Sequence, residues 1–414
     1  MKQLKIGVFG GGRGADIAKN FMMLNCEIVA ICDNDAARLK QGATDLGLPE
    51  DKCYDNFDDF INVEMDAMIL ANFFHEHAPY AIKCFERGIH VFSECISNGT
   101  MAEGVELIRA FEKSKSIYML AENYPQMKFN REMKRISSGG TLGKILYAEG
   151  EYNHPVSPSD TGFLERYTYF EGHWRNQLPR TYYITHSLGP IMWSTGATPK
   201  KVVAFAAFAP ASVDAPSASY SGDRVAHIMT QNDDGSIFRI TGCGGMGGHH
   251  NAYRIAGTKG QIENLRGMGE TVMLRYNEWD KPEGAETVSS YTPSWNDKDE
   301  ELIEKSGHGG GDYLTARMFC DCIKEGRQPE HPFDIHSAVA MSSVAILAHR
   351  SMLDGGRPYD IPDFHTEDAR VQYENDRLTP FQKDDAPATL PVCSHPDFAP
   401  TKRQIEMYHE LIDN

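Results

Sequence analysis

A short apolar run leads directly into a cluster of glycines in the stretch Lys5-Ile-Gly-Val-Phe-Gly10-Gly-Gly-Arg-Gly-Ala15. The residues before the glycines predict a buried strand, and those after them predict a helix that ends near Met23. A dinucleotide needs this arrangement, because a first glycine permits the tight turn and a second lets backbone amides approach the pyrophosphate. We place Gly10 and Gly12 at these two positions, and Ala15 at a third, where a small residue lets the helix pack on the strand.

An acidic residue follows the next apolar run at the distance that a dinucleotide site requires. The run 26–32 predicts a second strand, and Asp33 comes directly after it. A carboxylate about 20 residues beyond the glycines can accept hydrogen bonds from the hydroxyls of the adenosine ribose, and it would repel a 2'-phosphate. The sequence therefore predicts NAD, in preference to NADP, as the cofactor. The alternative is that Asp33 only caps the helix predicted over 36–41.

Strand and helix patterns alternate as far as residue 121. Strands are predicted over 67–71, 89–92 and 118–121, with helices over 78–87 and 101–114 between them. This alternation predicts a doubly wound parallel sheet, and therefore a Rossmann domain over residues 1–123. Ligands of such sheets bind beyond the carboxyl ends of the strands. The predicted cofactor-binding residues, at these ends and in the glycine turn, are Gly10, Gly11, Gly12, Arg13, Gly14, Asp33, Asn72, His77, Glu94 and Asn123.

The composition limits the class of protein. The chain has 414 residues, of which 41% are hydrophobic and 24% charged, as in ordinary globular proteins, and this length favours two domains. A formal net charge of -17 opposes binding to nucleic acid or to anionic lipid, so we expect neither partner. There is no apolar run of transmembrane length and no signal-peptide pattern, so we expect a cytoplasmic protein.

The cysteines and histidines do not form the pattern of a metal site. The nine cysteines are scattered without a CxxC array, which favours reduced thiols. Cys320 and Cys322 lie two apart in a helical pattern, and therefore on different faces. His249 and His250 are adjacent, and neighbouring residues of a strand point to opposite faces. We therefore predict no metal.

Residues 124–364 predict a second domain of the α+β class. Strand-like runs over 201–208, 226–230, 237–242, 254–257 and 271–276 predict an open, mainly antiparallel sheet. From about residue 365 prolines are frequent and periodic apolar positions are few. We therefore expect residues 365–414 to form a C-terminal extension that wraps over the surface and ends in a short helix.

Several segments resemble the Gfo/Idh/MocA oxidoreductase family. The similar segments are 71–80 (ANFFHEHAPY), 88–94 (GIHVFSE) and 121–124 (AENY) in the predicted Rossmann domain, and 257–262 (GTKGQI) and the helical stretch 312–355 beyond it. The resemblance covers nearly the whole chain, and it implies an NAD-dependent oxidoreductase that forms homo-oligomers through the free face of its second sheet. There is one important departure, because Cys95 stands where most dehydrogenases of the family carry a lysine that polarises a hydroxyl and shuttles its proton.

The chain also resembles the NAD-dependent glycosidases of glycoside hydrolase family 109, which share this fold and also lack the lysine. The similar segments are 183–190 (YITHSLGP) and 308–312 (HGGGD). The resemblance implies that His186 lies beside the substrate as proton acceptor or donor, with Tyr183 and Tyr124 flanking the sugar. We therefore predict His186, Tyr183 and Tyr124 as catalytic residues, with Glu94 orienting; the alternative for His186 is an ordinary histidine near a helix N-terminus.

Polar and aromatic residues are concentrated between positions 149 and 180. This mixture suits a sugar, because aromatic faces cover C–H surfaces and charged groups bind hydroxyls. A lid or an oligomer contact is the alternative for this stretch. The predicted substrate-binding residues are His154, Trp174, Arg175, Arg180 and, from the glycine-rich segment, His308.

Three functions are compatible with these features. We predict an NAD-dependent carbohydrate-active oxidoreductase that transfers a hydride between NAD and a ring carbon of a sugar or glycoside. The alternative is an NAD-dependent glycosidase, in which the ring carbon is oxidised, the leaving group eliminated, water added and the hydride returned. The third is a non-catalytic NAD sensor, which Cys95 permits but the retained Tyr124, Tyr183 and His186 disfavour.

Overall fold

The computed structural model describes residues 3–157, 168, 170–382 and 387–412, and the chain divides into two units. The first unit comprises residues 1–131, 294–340 and 364–375, and the second comprises 132–293, 341–363 and 376–414. The domain boundaries predicted at 123 and 364 stay predictions. Part of the polar stretch predicted over 149–180 lies outside the described residues, namely 158–167 and 169. Over the described ranges, no helix is long and apolar enough to cross a bilayer.

A parallel sheet of six strands forms the centre of the first unit. Along the chain its strands are β1 (Lys5–Phe9), β2 (Glu27–Cys32), β3 (Cys53–Tyr54), β4 (Ala67–Leu70), β5 (His90–Ser93) and β6 (Tyr118–Leu120). They lie in the order β3-β2-β1-β4-β5-β6, and each neighbouring pair is parallel. This order is that of a Rossmann fold, and it confirms the predicted doubly wound sheet. All four residues of β4 are buried, as expected of a strand covered by helices on both faces.

Five helices lie between these strands, and local capping residues set the start of one and the end of another. They are α1 (Arg13–Met23), α2 (Ala36–Leu46), α3 (Phe57–Phe60), α4 (His77–Glu86) and α5 (Met101–Glu112). Thr100 caps α5, and Glu103 completes a capping box with it. The helix predicted over 36–41 continues to Leu46, because Gly47, with φ of +67°, is the residue that takes up the left-handed conformation ending it.

An open sheet of nine strands forms the second unit. Along the chain its strands are β7 (Ile145–Asn153), β8 (Pro199–Phe208), β9 (Asp223–Asn232), β10 (Ile237–Gly244), β11 (His250–Gly257), β12 (Gly260–Asn264), β13 (Val272–Tyr276), β14 (Val288–Tyr291) and β15 (Tyr359–Asp360). Their spatial order is β14-β13-β12-β11-β7-β10-β9-β8-β15. The pair β7 and β10 is parallel, and the other neighbours are antiparallel, which confirms the predicted sheet type.

The remaining helices complete both units. They are α6 (Lys128–Ser138), α7 (Thr185–Thr195), α8 (Glu300–Lys305), α9 (Gly311–Glu325), α10 (Ile335–Leu353), α11 (Glu367–Arg370) and α12 (Lys402–Ile412). The helical stretch predicted over 312–355 is the pair α9 and α10. The extension beyond residue 365 ends in the helix α12, as the sequence predicts.

Two glycines let α7 and the residues before it lie directly on the second sheet. A Cβ atom on Gly150 of β7 would lie 1.9 Å from the carbonyl oxygen of Ser187 in α7. A Cβ atom on Gly242 of β10 would lie 1.5 Å from the carbonyl oxygen of Arg180. No larger residue fits these positions without moving the backbone, so both glycines fix the place of the segment that contains Tyr183 and His186.

Candidate active site

The glycine turn between β1 and α1 is shaped by close backbone contacts. Gly10 has φ of +112°, and a Cβ atom there would lie 2.4 Å from the carbonyl oxygen of Ala71. A Cβ atom on Gly11 would lie 2.4 Å from the carbonyl oxygen of Arg38, whereas on Gly12 it would meet only the Arg38 side chain. Helix α1 begins one residue after Gly12, so the positive end of its dipole lies at the turn and favours a bound phosphate.

Gly14, in the first turn of α1, lies close to the sheet. A Cβ atom on Gly14 would lie 3.0 Å from Cγ1 of Val8 and 3.3 Å from Cβ of Ala71. A minimal side chain therefore suits position 14, and the neighbouring Ala15 is also buried. The place given to Ala15 from the motif stays a prediction.

Asp33 is bonded to the glycine turn and is not the cap of α2. Its Oδ2 accepts a hydrogen bond from the Gly11 amide at 2.6 Å, and its Oδ1 accepts one from the Asp35 amide at 2.9 Å. Burial raises the pKa of Asp33 above its ordinary value, although these two amides oppose the rise. The cap of α2 is Asp35, which accepts from the amides of Ala37 and Arg38. The helix-cap alternative for Asp33 was therefore wrong.

Three predicted cofactor residues each keep one buried polar atom without a hydrogen-bond partner among the described residues. These atoms are Oδ1 of Asn72, Nε2 of His77 and Oδ1 of Asn123. The other ring nitrogen of His77 lies 2.7 Å from the Ile96 carbonyl oxygen, and burial lowers the pKa of this imidazole. Because buried polar atoms are normally paired, these atoms fit a site in which a bound dinucleotide supplies the partners.

A buried carboxylate, that of Asp312, joins several predicted residues of the first unit. Arg13 donates to its two oxygens at 2.7 and 3.0 Å, and Arg13 Nε also donates to Glu94 Oε1 at 2.8 Å. Asn123 Nδ2 donates to Asp312 at 2.6 Å, and His308 Nδ1 lies 3.0 Å from it. Burial raises the pKa of Asp312, but the bonds from His308 and Arg13 outweigh it and hold this pKa well below its usual range. The guanidinium of Arg13 is thus engaged within the protein.

The His308 ring lies beside Tyr124. Their centroids are 5.9 Å apart, and Tyr124 is buried at the start of a single 3-10 turn (Tyr124–Gln126). Asn130 donates to the Tyr124 carbonyl oxygen at 2.8 Å and fixes that turn. The structure therefore brings together, within one unit, the predicted residues Arg13, Glu94 and Asn123 with Tyr124 and His308.

In the second unit, Tyr183 and His186 are in direct contact. Tyr183 Oη lies 3.1 Å from His186 Nε2, and His186 is 8% exposed. The phenol and the imidazole can exchange a proton across this contact, because each is both donor and acceptor in its neutral form.

Two further tyrosines surround this pair. The Tyr152 ring meets His186 edge-on at 5.1 Å and Tyr183 edge-on at 5.9 Å. Tyr253 donates from its hydroxyl to the His186 carbonyl oxygen at 2.5 Å. His186 is thus held by α7 and by side chains from β7 and β11, so its place does not depend on a loop.

The predicted substrate residues of the second unit fall into two groups. The first group makes contacts with aromatic rings. Cζ of Arg175 lies 4.4 Å from the Trp174 ring centroid, and the His154 ring packs edge-on against the His249 ring, with centroids 4.7 Å apart. The second is Arg180, whose guanidinium donates to the carbonyl oxygens of Asp223 at 3.1 Å and Cys243 at 3.2 Å. Arg180 therefore supports the backbone in this structure.

Metal-ligating side chains do not cluster in the part of the chain that is described. No group of three or more His, Cys, Asp or Glu side chains there could hold an ion. His250 is paired instead with Glu151. Burial alone would raise the pKa of Glu151, but His250 and Arg266 outweigh burial, and the pKa lies below its ordinary value.

Three family models match this chain, and two of them overlap over residues 220–263. A model described as "Oxidoreductase family, NAD-binding Rossmann fold" matches residues 4–122. The "GFO/IDH/MocA C-terminal domain" model matches 130–263, and "Glycosyl hydrolase 109, C-terminal domain" matches 220–370. The chain belongs to the Gfo/Idh/MocA oxidoreductase family. It is therefore an NAD-binding enzyme, which confirms the predicted family, cofactor and enzyme class.

Curated relatives of this Gfo/Idh/MocA protein carry the glycosidase name. A glycosyl hydrolase family 109 protein of Streptomyces filamentosus is 25% identical over 406 residues, covering 87% of this chain and 77% of the relative. Glycosyl hydrolase family 109 protein 2 of Shewanella sp. (strain MR-4) is 25% identical over 401 residues, covering 88% and 86%. This chain is thus similar to family 109 proteins over most of its length.

Solved structures of the same fold include NAD-binding oxidoreductases. Levoglucosan dehydrogenase, in complex with NADH and levoglucosan, has a TM-score of 0.70 at 16% identity, with 87% of this chain and 100% of that one covered. An NAD-binding oxidoreductase from Klebsiella pneumoniae has a TM-score of 0.70 at 16% identity, with 87% and 99% covered. At these identities the likeness establishes the fold.

Cys95, which by the family resemblance stands where most of the dehydrogenases carry a lysine, lies at the carboxyl end of β5. Its thiol is buried and donates to Oε2 of Glu122 at 3.4 Å, and its amide donates to Glu94 Oε2 at 2.9 Å. Glu122 is fully buried, and its other oxygen accepts from the Tyr124 amide at 3.1 Å. A thiol that donates to a carboxylate does not supply the ammonium group of a lysine.

Sequence reasoning missed several residues of this Gfo/Idh/MocA site. Asp312 carried a signal, since it ends the segment 308–312 and opens a helix, but only the folded chain brings it to Arg13. Tyr253 carried none, because a lone tyrosine just before the strand predicted over 254–257 is ordinary. Glu122 follows the strand predicted over 118–121, at a carboxyl end where ligands of such sheets bind, but no role was predicted for its side chain.

Proposed function

We propose that this Gfo/Idh/MocA enzyme transfers a hydride between NAD and a ring carbon of a sugar or glycoside, with His186 and Tyr183 as its acid–base pair. The observation that carries the proposal is the 3.1 Å contact between Tyr183 Oη and His186 Nε2. A hydroxyl that becomes a ketone must release its proton, and an imidazole is the side chain suited to accept or return it near neutral pH.

The cofactor would be held by the first unit. When bound, NAD supplies the hydride acceptor, and the protein supplies position and electrostatics. The glycine turn and the N-terminus of α1 would hold the pyrophosphate, and Asp33 the ribose. Asn72, His77 and Asn123, with their unpaired buried atoms, would hold the remaining polar groups. Glu94 would position Arg13 through their 2.8 Å bond.

The sugar would be bound by side chains of the second unit. The Arg175 guanidinium over the Trp174 ring, with centroid distance 4.4 Å, presents hydrogen-bond donors beside an apolar face. The imidazole of His154, which burial and the neighbouring His249 and Arg175 keep at a lowered pKa, would be a neutral partner for hydroxyls. Tyr124 and His308 of the first unit are proposed as further sugar contacts by the family resemblance.

A second candidate function is an NAD-dependent glycosidase, in which the hydride returns to the sugar within one turnover. It is supported by the match of residues 220–370 to the glycosyl hydrolase 109 C-terminal domain. It is also supported by Cys95, because a site without the lysine differs from most net dehydrogenases of the family. No paired carboxylates at glycosidase spacing are required by this chemistry.

One assay separates the two candidates. The purified enzyme is incubated with a panel of chromogenic glycosides and free sugars, with and without added NAD, while aglycone release and NADH absorbance are followed. NADH formed in proportion to substrate, without aglycone release, would exclude the glycosidase. Aglycone release without net NADH would exclude the dehydrogenase. Neither signal with any sugar or glycoside would overturn the proposed substrate class.

We also propose that the enzyme is a cytoplasmic homo-oligomer. The nine cysteines, all of them described, are in the thiol form and not in disulfides, as is usual in a reducing compartment. The outer face of β8, β9 and β10 exposes Phe205 (63%), Met229 (46%) and Ile237 (42%) at diagonal positions on neighbouring strands, which favours burial against another copy. Sedimentation analysis of wild type and Met229→Asp tests the oligomer, since a monomeric wild type would contradict it, and cell fractionation tests the compartment.

A further inference from the structure

The C-terminal tail, residues 376–382 and 387–412, contacts the segment that carries four predicted site residues. We call residues 173–183 the substrate segment, because Trp174, Arg175, Arg180 and Tyr183 lie in it. The three matched family models end at or before residue 370, so the tail lies beyond them. We propose that the tail positions the substrate segment for the sugar, acting through Phe381 and Gln382. This inference rests on the proposed function, which gives the segment its ligand.

The first contact is a buried amide held entirely by the tail. Gln177 ends the single 3-10 turn Trp174–Gln177 and is 6% exposed. Its Oε1 accepts a hydrogen bond from the Gln382 backbone amide at 2.8 Å, and its Nε2 donates to the Gln382 side chain at 3.2 Å. A buried amide without partners carries its full desolvation cost. This pair of hydrogen bonds therefore holds the turn against the tail.

The second contact lies at the other end of the substrate segment. Phe381 meets Tyr182 edge-on, with centroids 5.3 Å apart, and both rings are buried. Tyr182 also meets the His349 ring of α10 at 5.6 Å, and His349 Nε2 lies 2.8 Å from the tail carbonyl oxygen of Pro391. The residue that precedes Tyr183 is thus enclosed by the tail and by α10.

Two adjacent tail residues therefore hold both ends of one short segment. Phe381 fixes the backbone next to Tyr183, and Gln382 fixes the turn that carries Trp174 and Arg175. In this proposal the sugar lies between Arg175, at one end of the segment, and Tyr183, at the other. The distance between the two ends therefore sets the width of the sugar site, and the tail determines that distance. Loss of either contact should weaken sugar binding more than it slows the chemical step, since Phe381 contacts Tyr182 and Gln382 contacts Gln177.

The tail also supplies a matched control. Gln404 in α12 is 4% exposed, and its Nε2 donates to the Ser212 carbonyl oxygen at 3.0 Å. Like Gln177, it is a buried glutamine that joins the tail to the rest of the second unit. Its side chain, however, bonds outside the substrate segment. The backbone carbonyl of Gln404, which accepts from Ser217, is unaffected by replacing the side chain.

The experiment compares Gln177→Leu and Phe381→Ala with Gln404→Leu in the full-length protein. Hydrogen exchange is followed by mass spectrometry on peptides that cover the substrate segment, without substrate. KM and kcat for the best substrate of the glycoside panel, and the Kd for NAD, are measured in parallel. Phe381→Leu, which keeps most of the buried volume, serves as the conservative variant if Phe381→Ala does not fold.

We expect exchange in the substrate segment to be about five- to tenfold faster in Gln177→Leu and Phe381→Ala, since each loses a buried contact. Gln404→Leu should leave it unchanged. KM should rise about three- to tenfold in the first two variants, with kcat and NAD affinity within about twofold, and Phe381→Leu should recover most of the loss.

Two results would overturn the inference. Equal exchange in Gln177→Leu and Gln404→Leu would mean that the tail does not hold the segment. Faster exchange with an unchanged KM would mean that the segment is held but does not bind the sugar. If the wild type turns over no sugar or glycoside, the proposed function fails, and the exchange measurement still decides whether the tail fixes the segment.

Discussion

His186 and Tyr183 meet because they are three residues apart at the start of a helix, where one turn brings their side chains to the same surface. The contact itself is therefore local, and the motif in 183–190 was enough to predict it. Its environment is not local, since Tyr152 comes from β7 and Tyr253 from β11. The same limit applies to Asp312, whose bonds to Arg13 span 299 positions of sequence. Such partners follow from the fold and leave no trace in a sequence window.

Replacing His186 by alanine should remove the group that accepts or returns the substrate proton. We expect kcat to fall by about 10²- to 10⁴-fold, the usual contribution of a positioned acid or base. The Kd for NAD should stay within a few-fold, because the predicted cofactor residues lie in the first unit. Steady-state assays and NAD titration measure both. His365→Ala, which removes an exposed histidine outside the predicted site residues, is the control, and a fully active His186→Ala enzyme would show that the site is misplaced.

Asp33 and Asp35 offer a matched pair for testing cofactor binding. Asp33→Ala should weaken NAD binding by about ten- to a hundredfold, because hydrogen bonds to a charged carboxylate contribute about 1.5–3 kcal/mol. Asp35→Ala removes the cap of α2 and should lower the free energy of unfolding by about 1 kcal/mol, with little effect on NAD affinity. Calorimetric titration and thermal unfolding of both variants measure these effects. Equal losses of NAD affinity would contradict the assignment of the ribose to Asp33.

At the scale of elements, the first unit was predicted well because its signals are local. A buried parallel strand is a continuous apolar run, and the helices between such strands have their own caps, so 67–71 and 101–114 correspond closely to β4 and α5. The second unit was predicted less completely. β7 was missed because its sequence, ILYAEGEYN, places glutamates on the open face of the sheet and glycine at the contact with α7. Its strand conformation becomes evident only from its pairing with β10 on one side and β11 on the other.

Gly150 tests whether the place of α7 sets the activity. Gly150→Ala would put a Cβ atom 1.9 Å from the Ser187 carbonyl oxygen, so α7 must move. We expect a loss of about 1–3 kcal/mol in the free energy of unfolding, the usual cost of overpacking, and a lower kcat because His186 moves with the helix. Denaturant unfolding and steady-state kinetics measure the two effects. Gly248→Ala, where a Cβ atom meets nothing within 4 Å, is the control, and equal behaviour of the two variants would refute this role of α7.

At the scale of the whole molecule, the units are assembled from separated stretches, which sequence patterns cannot pair. Residues 294–340 return to the first unit and bring Asp312 and His308 to the glycine turn and Tyr124. Residues 341–363 and 376–414 return to the second unit, where α10 and the tail enclose Tyr182. The simplest expectation from sequence is one continuous domain in each half of the chain. Such domains would not contain these returning stretches.

The buried imidazole of His349 links the stability of the molecule to pH. Burial lowers the pKa of His349 from 6.5 to about 4, while in the unfolded chain it returns to the ordinary value. Below pH 6.5 the unfolded state therefore binds a proton that the folded state does not, so the free energy of unfolding decreases as pH falls from 6.5 to 4. The decrease reaches about 3 kcal/mol at most.

His349→Gln should reduce this dependence, because an amide can still donate to the Pro391 carbonyl oxygen but does not titrate. The midpoint of thermal unfolding, measured from neutral pH down to the acid limit of solubility, should fall less steeply in the variant than in wild type. His395→Gln, which removes an exposed histidine of the tail, is the control and should keep the wild-type slope. Wild type and His349→Gln with the same slope would mean that this imidazole is protonated without unfolding, and that the tail and α10 do not hold it in the neutral form.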